Sequence, residues 1–133
     1  LIKMADTVTI QTIADTSGVK YVIKLTNISD GSGEVLVKKI DASETTFMSE
    51  DGARAIARVY YSINASDNKS GVELVWDGAT NATALFLSGQ GFMDFRTDGN
   101  SFTNNATTPT GDVLLSTKNF ANGDNYSLIV EFR

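Results

Sequence analysis

The sequence predicts an all-β fold: a single-domain β-sandwich, jelly-roll-like or immunoglobulin-like, with about eight or nine short antiparallel strands. Three observations predict it. Apolar residues recur at every second position in one segment after another. Clusters of Gly, Asn, Asp and Ser, the residues of tight turns, separate these segments. No apolar pattern of helical period runs long enough for an ordinary helix. The chain has 133 residues, within the usual ~100–150 of one domain. A chain of this length buries roughly two thirds of its unfolded surface, so neither disulfide nor metal is needed to hold its core.

In "DTVTIQTI", Val8 and Ile10 alternate with Thr7, Thr9 and Gln11, the pattern of a half-buried first strand. "DTSG" (15–18) is a turn, and "VKYVIKLTNI" follows with Val19, Tyr21, Ile23 and Leu25 on one face. The two runs form the clearest hairpin in the chain. "EVLVKKID" (34–41) reads as a third strand and "ASETTFMSEDG" as a polar connection. "ARAIARVYYSINA" mixes helix-forming Ala and Arg with β-favouring Tyr and Ile; the alternation Ile56, Arg58, Tyr60, Ser62 favours a strand, with a helical turn allowed at 51–55. "VELVWD", "TALFLS" and "FMDF" are further strands, with "SDNKSG", "DGATNA" and "GQG" between them. The polar stretch from Arg96 to Gly111 holds the single proline, Pro109, and no obvious element. A stretch this long is expected to be functional or ordered by a partner. "DVLLST" and "NYSLIVEFR" close the sandwich, with Tyr126, Leu128, Val130 and Phe132 on one face.

Composition excludes whole classes of chemistry. The chain has no Cys and no His, so thiolate nucleophiles, Cys-ligated metals and the usual general base near neutral pH are all missing. The formal net charge is −5 and the 11 Lys and Arg are scattered, which argues against a nucleic-acid partner. No apolar run approaches the ~20 residues of a membrane-spanning helix, and no secretory leader is evident. Met4-Ala5 reads like a natural start, with Leu1-Ile2-Lys3 as an upstream extension.

The segment "DGSGE" (30–34) looks most like a ligand loop. A phosphate loop needs a helix after its glycines, and here Val35, Leu36 and Val37 begin a strand instead. A calcium loop needs carboxylates at fixed spacing and a Glu in twelfth place; counted from Asp30 that place holds Asp41. In "DFRTDGNS" the third ligand position is Arg96. Both read as turns, with Gly31 and Gly33 at positive φ and Asp30 and Ser32 bonding the local backbone. Glu73 and Asp77 flank Trp76 and come closest to a hydrolytic carboxylate pair, but nothing apolar sets them apart. No G-x-S-x-G occurs. Trp76 reads as core, leaving Tyr60, Tyr61 and Tyr126 as candidate platforms for a sugar. No enzyme activity and no cofactor are expected.

"MADTVTIQTIAD", "LTNISDGSGEVLVKKIDAS", "VELVWDGATNATALFL" and "TGDVLLST…GDNYSLIVEF" together resemble, in order along most of the chain, a group of small virion-associated proteins of tailed bacteriophages. The resemblance implies a structural protein of the phage particle, assembled in the host cytoplasm. It points first to a head decoration or cement protein that reinforces the capsid lattice, and otherwise to a neck, tail or fibre protein. It also implies major capsid protein or other virion proteins as partners, and a homo-oligomer. A glycan-binding sandwich is the reading of a different class. Partner contacts are expected in the N-terminal segment, at Asp6 and Thr7, and in the long polar loop, at Phe102, Asn104 and Asn105. Phe102 stands out as a large apolar side chain in a polar stretch.

Overall fold

The computed structural model describes residues 6–96 and 102–133. The expected extension Leu1-Ile2-Lys3 lies outside them. Ten strands follow in order: β1 Thr7–Thr16, β2 Lys20–Ile28, β3 Val37–Ile40, β4 Ala55–Asn64, β5 Gly71–Thr80, β6 Ala82–Leu87, β7 Gln90–Asp94, β8 Phe102–Thr103, β9 Thr107–Lys118 and β10 Asn125–Phe132. The one helical element among the described residues is a 3-10 turn, Ala42–Glu44, capped by the Asp41 side chain. The strands form two antiparallel sheets, as an all-β sandwich requires. One runs β1-β2-β10-β4-β7, with β8 also on β4; the other runs β3-β9-β5-β6.

The pairing resolves the topology that periodicity leaves open. With β1 and β8 set aside, eight strands remain. Their first pairs with their last, β2 with β10; then β3 with β9, β4 with β7, and β5 with β6. That is one long hairpin rolled into two facing sheets, which is jelly-roll rather than immunoglobulin-like order.

Inward-facing residues alternate as the sequence predicts. Tyr21, Ile23, Leu25 and Asn27 of β2 are buried, and so are Tyr126, Leu128, Val130 and Phe132 of β10. Across the gap Val72, Leu74 and Trp76 of β5 and Val113 and Leu115 of β9 complete the core. Phe132 lies between the rings of Tyr21 and Trp76, 6.2 Å from each. Trp76 is 1% exposed, as a core Trp should be. Fully burying one of the Val, Leu, Ile or Phe side chains of this core contributes about 1.5–3 kcal/mol.

Several boundaries differ from the periodic reading, each for a local reason. The third strand shrinks to Val37–Ile40. Leu36 takes a φ of +47°, which breaks the ladder. The segment before it is tied to β9 through side chains: Leu36 N–H donates to Ser116 Oγ at 2.8 Å and Glu34 N–H to Thr117 Oγ1 at 2.8 Å. "DGATNA" is not a turn. β5 runs on to Thr80, with Gly78 opposite Pro109 and Thr80 opposite Thr107; the turn contracts to Asn81, whose Oδ1 accepts from Gly78 N–H at 3.1 Å. The stretch from Arg96 to Gly111 is likewise not elementless, since it supplies β8 and the first half of β9. Pro109 is tolerated beside the irregularity between Trp76 and Gly78, where the ladder is already interrupted. Residues 51–55 form a turn and a strand start, with Gly52 at φ +74°. Val19 stays outside β2, exposed in the turn.

Candidate assembly surface

The largest departure from expectation is β1. Its residues Val8, Ile10 and Thr12 stand opposite Asn27, Leu25 and Ile23 and therefore face inward with them. Yet Leu25 and Ile23 are 1% exposed while Val8 is 39% and Ile10 50% exposed. The cause is the unequal width of the two sheets. One path has five strands and the opposing sheet four, so β1 overhangs the edge strand β3 and nothing covers its inner face. A register shift between Thr12 and Ala14 leaves Ile13 exposed as well.

Beneath the overhang, an open groove of about 440 Å³ runs between β1 and β3, lined by Ile10, Tyr21, Ile23 and Ile40 on its apolar part and by Lys38, Lys39, Asp41 and Glu44 on its charged part. Val35, Leu36 and Val37 are exposed along the β3 side. On its other flank β1 pairs with no described strand, and between Thr7 and Ala14 it carries neither charge nor proline. Sheet edges are usually protected by just such residues. Among the described residues, neither device guards this edge between Thr7 and Ala14.

The edge is held rigidly at both ends. Asp6 accepts from Asp30 N–H at 2.8 Å and from Asn27 Nδ2 at 3.1 Å, tying the start of β1 to the DGSGE loop. At the far end Asp15 accepts from Thr46 N–H at 2.8 Å and Phe47 N–H at 2.8 Å. Charge-assisted bonds to backbone donors are among the stronger kinds. Asp15→Ala is expected to lower stability by about 1–3 kcal/mol and to raise hydrogen exchange in β1 above that in β10, as measured by exchange mass spectrometry. Uniform exchange in both strands would refute the clamp.

The DGSGE loop works as a turn in the way its residues suggest. Gly31 and Gly33 have φ of +102° and +71°, and Ser32 N–H donates to Asp30 Oδ1 at 2.9 Å. Its last residue does something the sequence does not reveal. Glu34 is buried, and its Oε1 accepts from Asn27 Nδ2 at 2.6 Å and from the Tyr126 hydroxyl at 2.7 Å. Its Oε2 forms an ion pair with the buried Lys39. Burial first, and then the Glu34 carboxylate, push the Tyr126 hydroxyl well above the ordinary tyrosine value. Four side chains thus join β2, β3, β10 and the loop beside the groove.

The expected contact residues fall into two groups on different parts of the sheet. Asp6 and Thr7 sit at the start of β1, Asp6 engaged with the loop and Thr7 exposed opposite Ile28. Phe102, Asn104 and Asn105 lie beyond β4, where β8 pairs with Ala55 and Ile56. Phe102 is half-buried against Phe95, ring centroids 5.0 Å apart, and packs on the core. Asn104 accepts from Ala106 N–H at 3.0 Å, and Asn105 is exposed.

The candidate chemistries are also placed. Glu73 accepts from Thr83 Oγ1 at 2.5 Å and Asp77 from Thr110 Oγ1 at 2.8 Å; each is held by its own partner. Asp94 makes a two-pronged contact with Arg96, which holds its carboxyl down at about 2. Asp98, Gly99 and Asn100 lie outside the described residues. Among the described residues no three carboxylates converge as metal ligands would. Tyr126 is buried, whereas Tyr60 is 45% exposed and stacks on Phe92, centroids 4.4 Å apart.

Comparison with protein-family models, with curated proteins and with solved structures found no match for this chain. The reading of function therefore rests on this surface together with the sequence resemblance given above. Sequence reasoning missed Ile10, Ile13 and the Val35–Val37 run as surface features, because alternation reports which side chains share a face and not whether that face is covered. A signal was present: the uncharged run from Thr7 to Ala14 is unusual for an edge.

Proposed function

We propose that this chain is a structural protein of a tailed-bacteriophage particle, foremost a decoration or cement protein on the head lattice. In this reading the β1–β3 edge meets the major capsid protein, another virion protein or a further copy of the chain. One observation carries it. Among the described residues, six of the eleven exposed large hydrophobics (Val8, Ile10, Ile13, Val35, Leu36 and Val37) lie on β1 or on β3 and its approach. A cluster of this kind beside a strand whose outer flank pairs with no described strand is typical of a protein–protein contact. The resemblance of the sequence to virion-associated phage proteins supplies the setting. Jelly rolls serve viral coats and lectins alike, an analogy at the level of fold alone.

The test is quantitative mass spectrometry of purified particles. A decoration role predicts copies in a fixed ratio to the major capsid protein. A handful of copies per particle would move the protein to the neck, tail or fibres, and absence from the particle would overturn the reading.

A further inference from the structure

The outward face of the wider sheet holds a second surface, separate from the β1–β3 edge. Four outward-pointing residues stand in one row across it: Lys24 on β2, Ile129 on β10, Tyr60 on β4 and Phe92 on β7. Two residues along each strand the next row reads Thr26, Ser127 and Ser62. Between the rows lies a shallow depression of about 460 Å³, lined by Lys24, Thr26, Tyr60, Ser62, Ser127 and Ile129 among others. That is within the range of ligand sites, roughly 300–1,000 Å³.

Each wall has a distinct chemistry. Phe92, 51% exposed, stacks on Tyr60 from the β7 side at an interplanar angle of 22°. Tyr60 is thereby backed by Phe92, and its cross-strand neighbour Ile129 is the half-buried floor. Hydroxyls of Ser62 and Ser127 border one end, beside that of Thr26, which is hydrogen-bonded to Thr9 on β1. Lys24 stands on the far wall and forms no ion pair with any described residue. In the adjacent row Arg58 is already paired with Glu131 at 2.7 Å, and Arg96 with Asp94 at 2.8 Å. No carboxylate lines the depression, although the chain as a whole carries a net charge of −5.

A stacked aromatic side chain, an aliphatic floor, hydroxyls and a cation with no carboxylate partner suit a sugar that carries a carboxylate. A pyranose ring offers C–H groups to the aromatic face and hydroxyls to Ser and Thr, and a carboxylate on that ring would answer Lys24. We propose that this depression binds a carboxylate-bearing sugar of the uronate type. The inference does not depend on the particle role, since no residue of the β1–β3 edge lines the site.

The experiment is an NMR titration of the intact chain with trigalacturonate and with its methyl-esterified form, which removes the charge and keeps the ring. Saturable shifts are expected at Lys24, Thr26, Tyr60, Ser62, Ser127 and Ile129. Esterification should weaken binding about fivefold, the scale of one exposed ion pair. Lys24→Gln should abolish that preference and Tyr60→Ala the binding, with both variants folded as judged by their unchanged remaining spectrum. Binding of the acid no tighter than about 20 mM, or shifts spread over the whole surface, would overturn the proposal. So would shifts at these residues that track protein concentration without sugar, since a second copy would then occupy the face.

Discussion

Glu34→Ala is expected to destabilise the protein by about 3–5 kcal/mol, the usual cost of stripping one partner from a buried ion pair. The loss is large because three donors converge on this carboxylate. Lys39, its side chain 1% exposed, is left as an uncompensated buried cation. Asn27 Nδ2 loses a 2.6 Å acceptor and the Tyr126 hydroxyl a 2.7 Å one. For a domain of this size the melting temperature should fall by about 10–15 °C. A graded series separates charge from hydrogen bonding. Glu34→Gln keeps an acceptor for Asn27 and Tyr126 but leaves the Lys39 charge unanswered, so it should fall between wild type and Glu34→Ala. Adding Lys39→Met to Glu34→Gln removes the orphaned charge and should recover much of the loss. Scanning calorimetry on the four proteins reads this directly. A Glu34→Ala melting temperature within about 2 °C of wild type would show that the network contributes little.

Glu34 also marks how far the sequence could be read. Alternation identified β2 and β10 residue by residue, because both lie mid-sheet with one face on the core and one on solvent. There a period of two maps directly onto burial. It failed for Glu34 because a glutamate at the end of a Gly-Ser turn looks like every other exposed turn acid. Its burial depends on Asn27, Lys39 and Tyr126, and Tyr126 lies far along the chain. It failed for the start of β9 for a related reason. Thr107 to Thr110 carry no apolar alternation, and they become a strand only because β5 continues past Trp76 to pair with them. Such pairing is tertiary in origin. The topology was legible only as an alternative between two sandwiches, since strand number and spacing are common to both. Pairing of β2 with β10 and of β3 with β9 decides it, and neither contact is local.

The two candidate surfaces were legible to different degrees. Tyr60 was visible as a possible sugar platform, but its stacking partner was not, because Phe92 reads simply as part of a short strand. What makes the pair a site is the register that sets Lys24, Ile129, Tyr60 and Phe92 in one row. The β1 edge was misread in the opposite direction. Val8 and Ile10 alternate as a core strand would, and the inference of a covered face was wrong because the opposing sheet ends one strand short of β1. A core-like pattern on an uncovered strand is what a contact completed by another chain would leave behind.

Ile10→Lys tests that conclusion most sharply. Ile10 is 50% exposed on a strand whose outer flank pairs with no described strand, so the new side chain can extend into water and stability should change by no more than about 0.5 kcal/mol. An inward-pointing lysine on an edge strand is also a device by which sheets refuse further pairing. Incorporation into particles, or self-association in solution, should therefore drop by at least about tenfold, a 1.4 kcal/mol effect at the interface, while the melting temperature stays within about 2 °C. Phe86→Lys provides the control. Phe86 is equally exposed but lies on β6, at the opposite edge of the other sheet, and its replacement should leave incorporation unchanged. Equal losses in the two variants would mean that added positive charge, and not the edge, drives the effect. Wild-type incorporation of Ile10→Lys would show that β1 faces solvent in the assembled state, and the contact would then have to be sought elsewhere on the molecule.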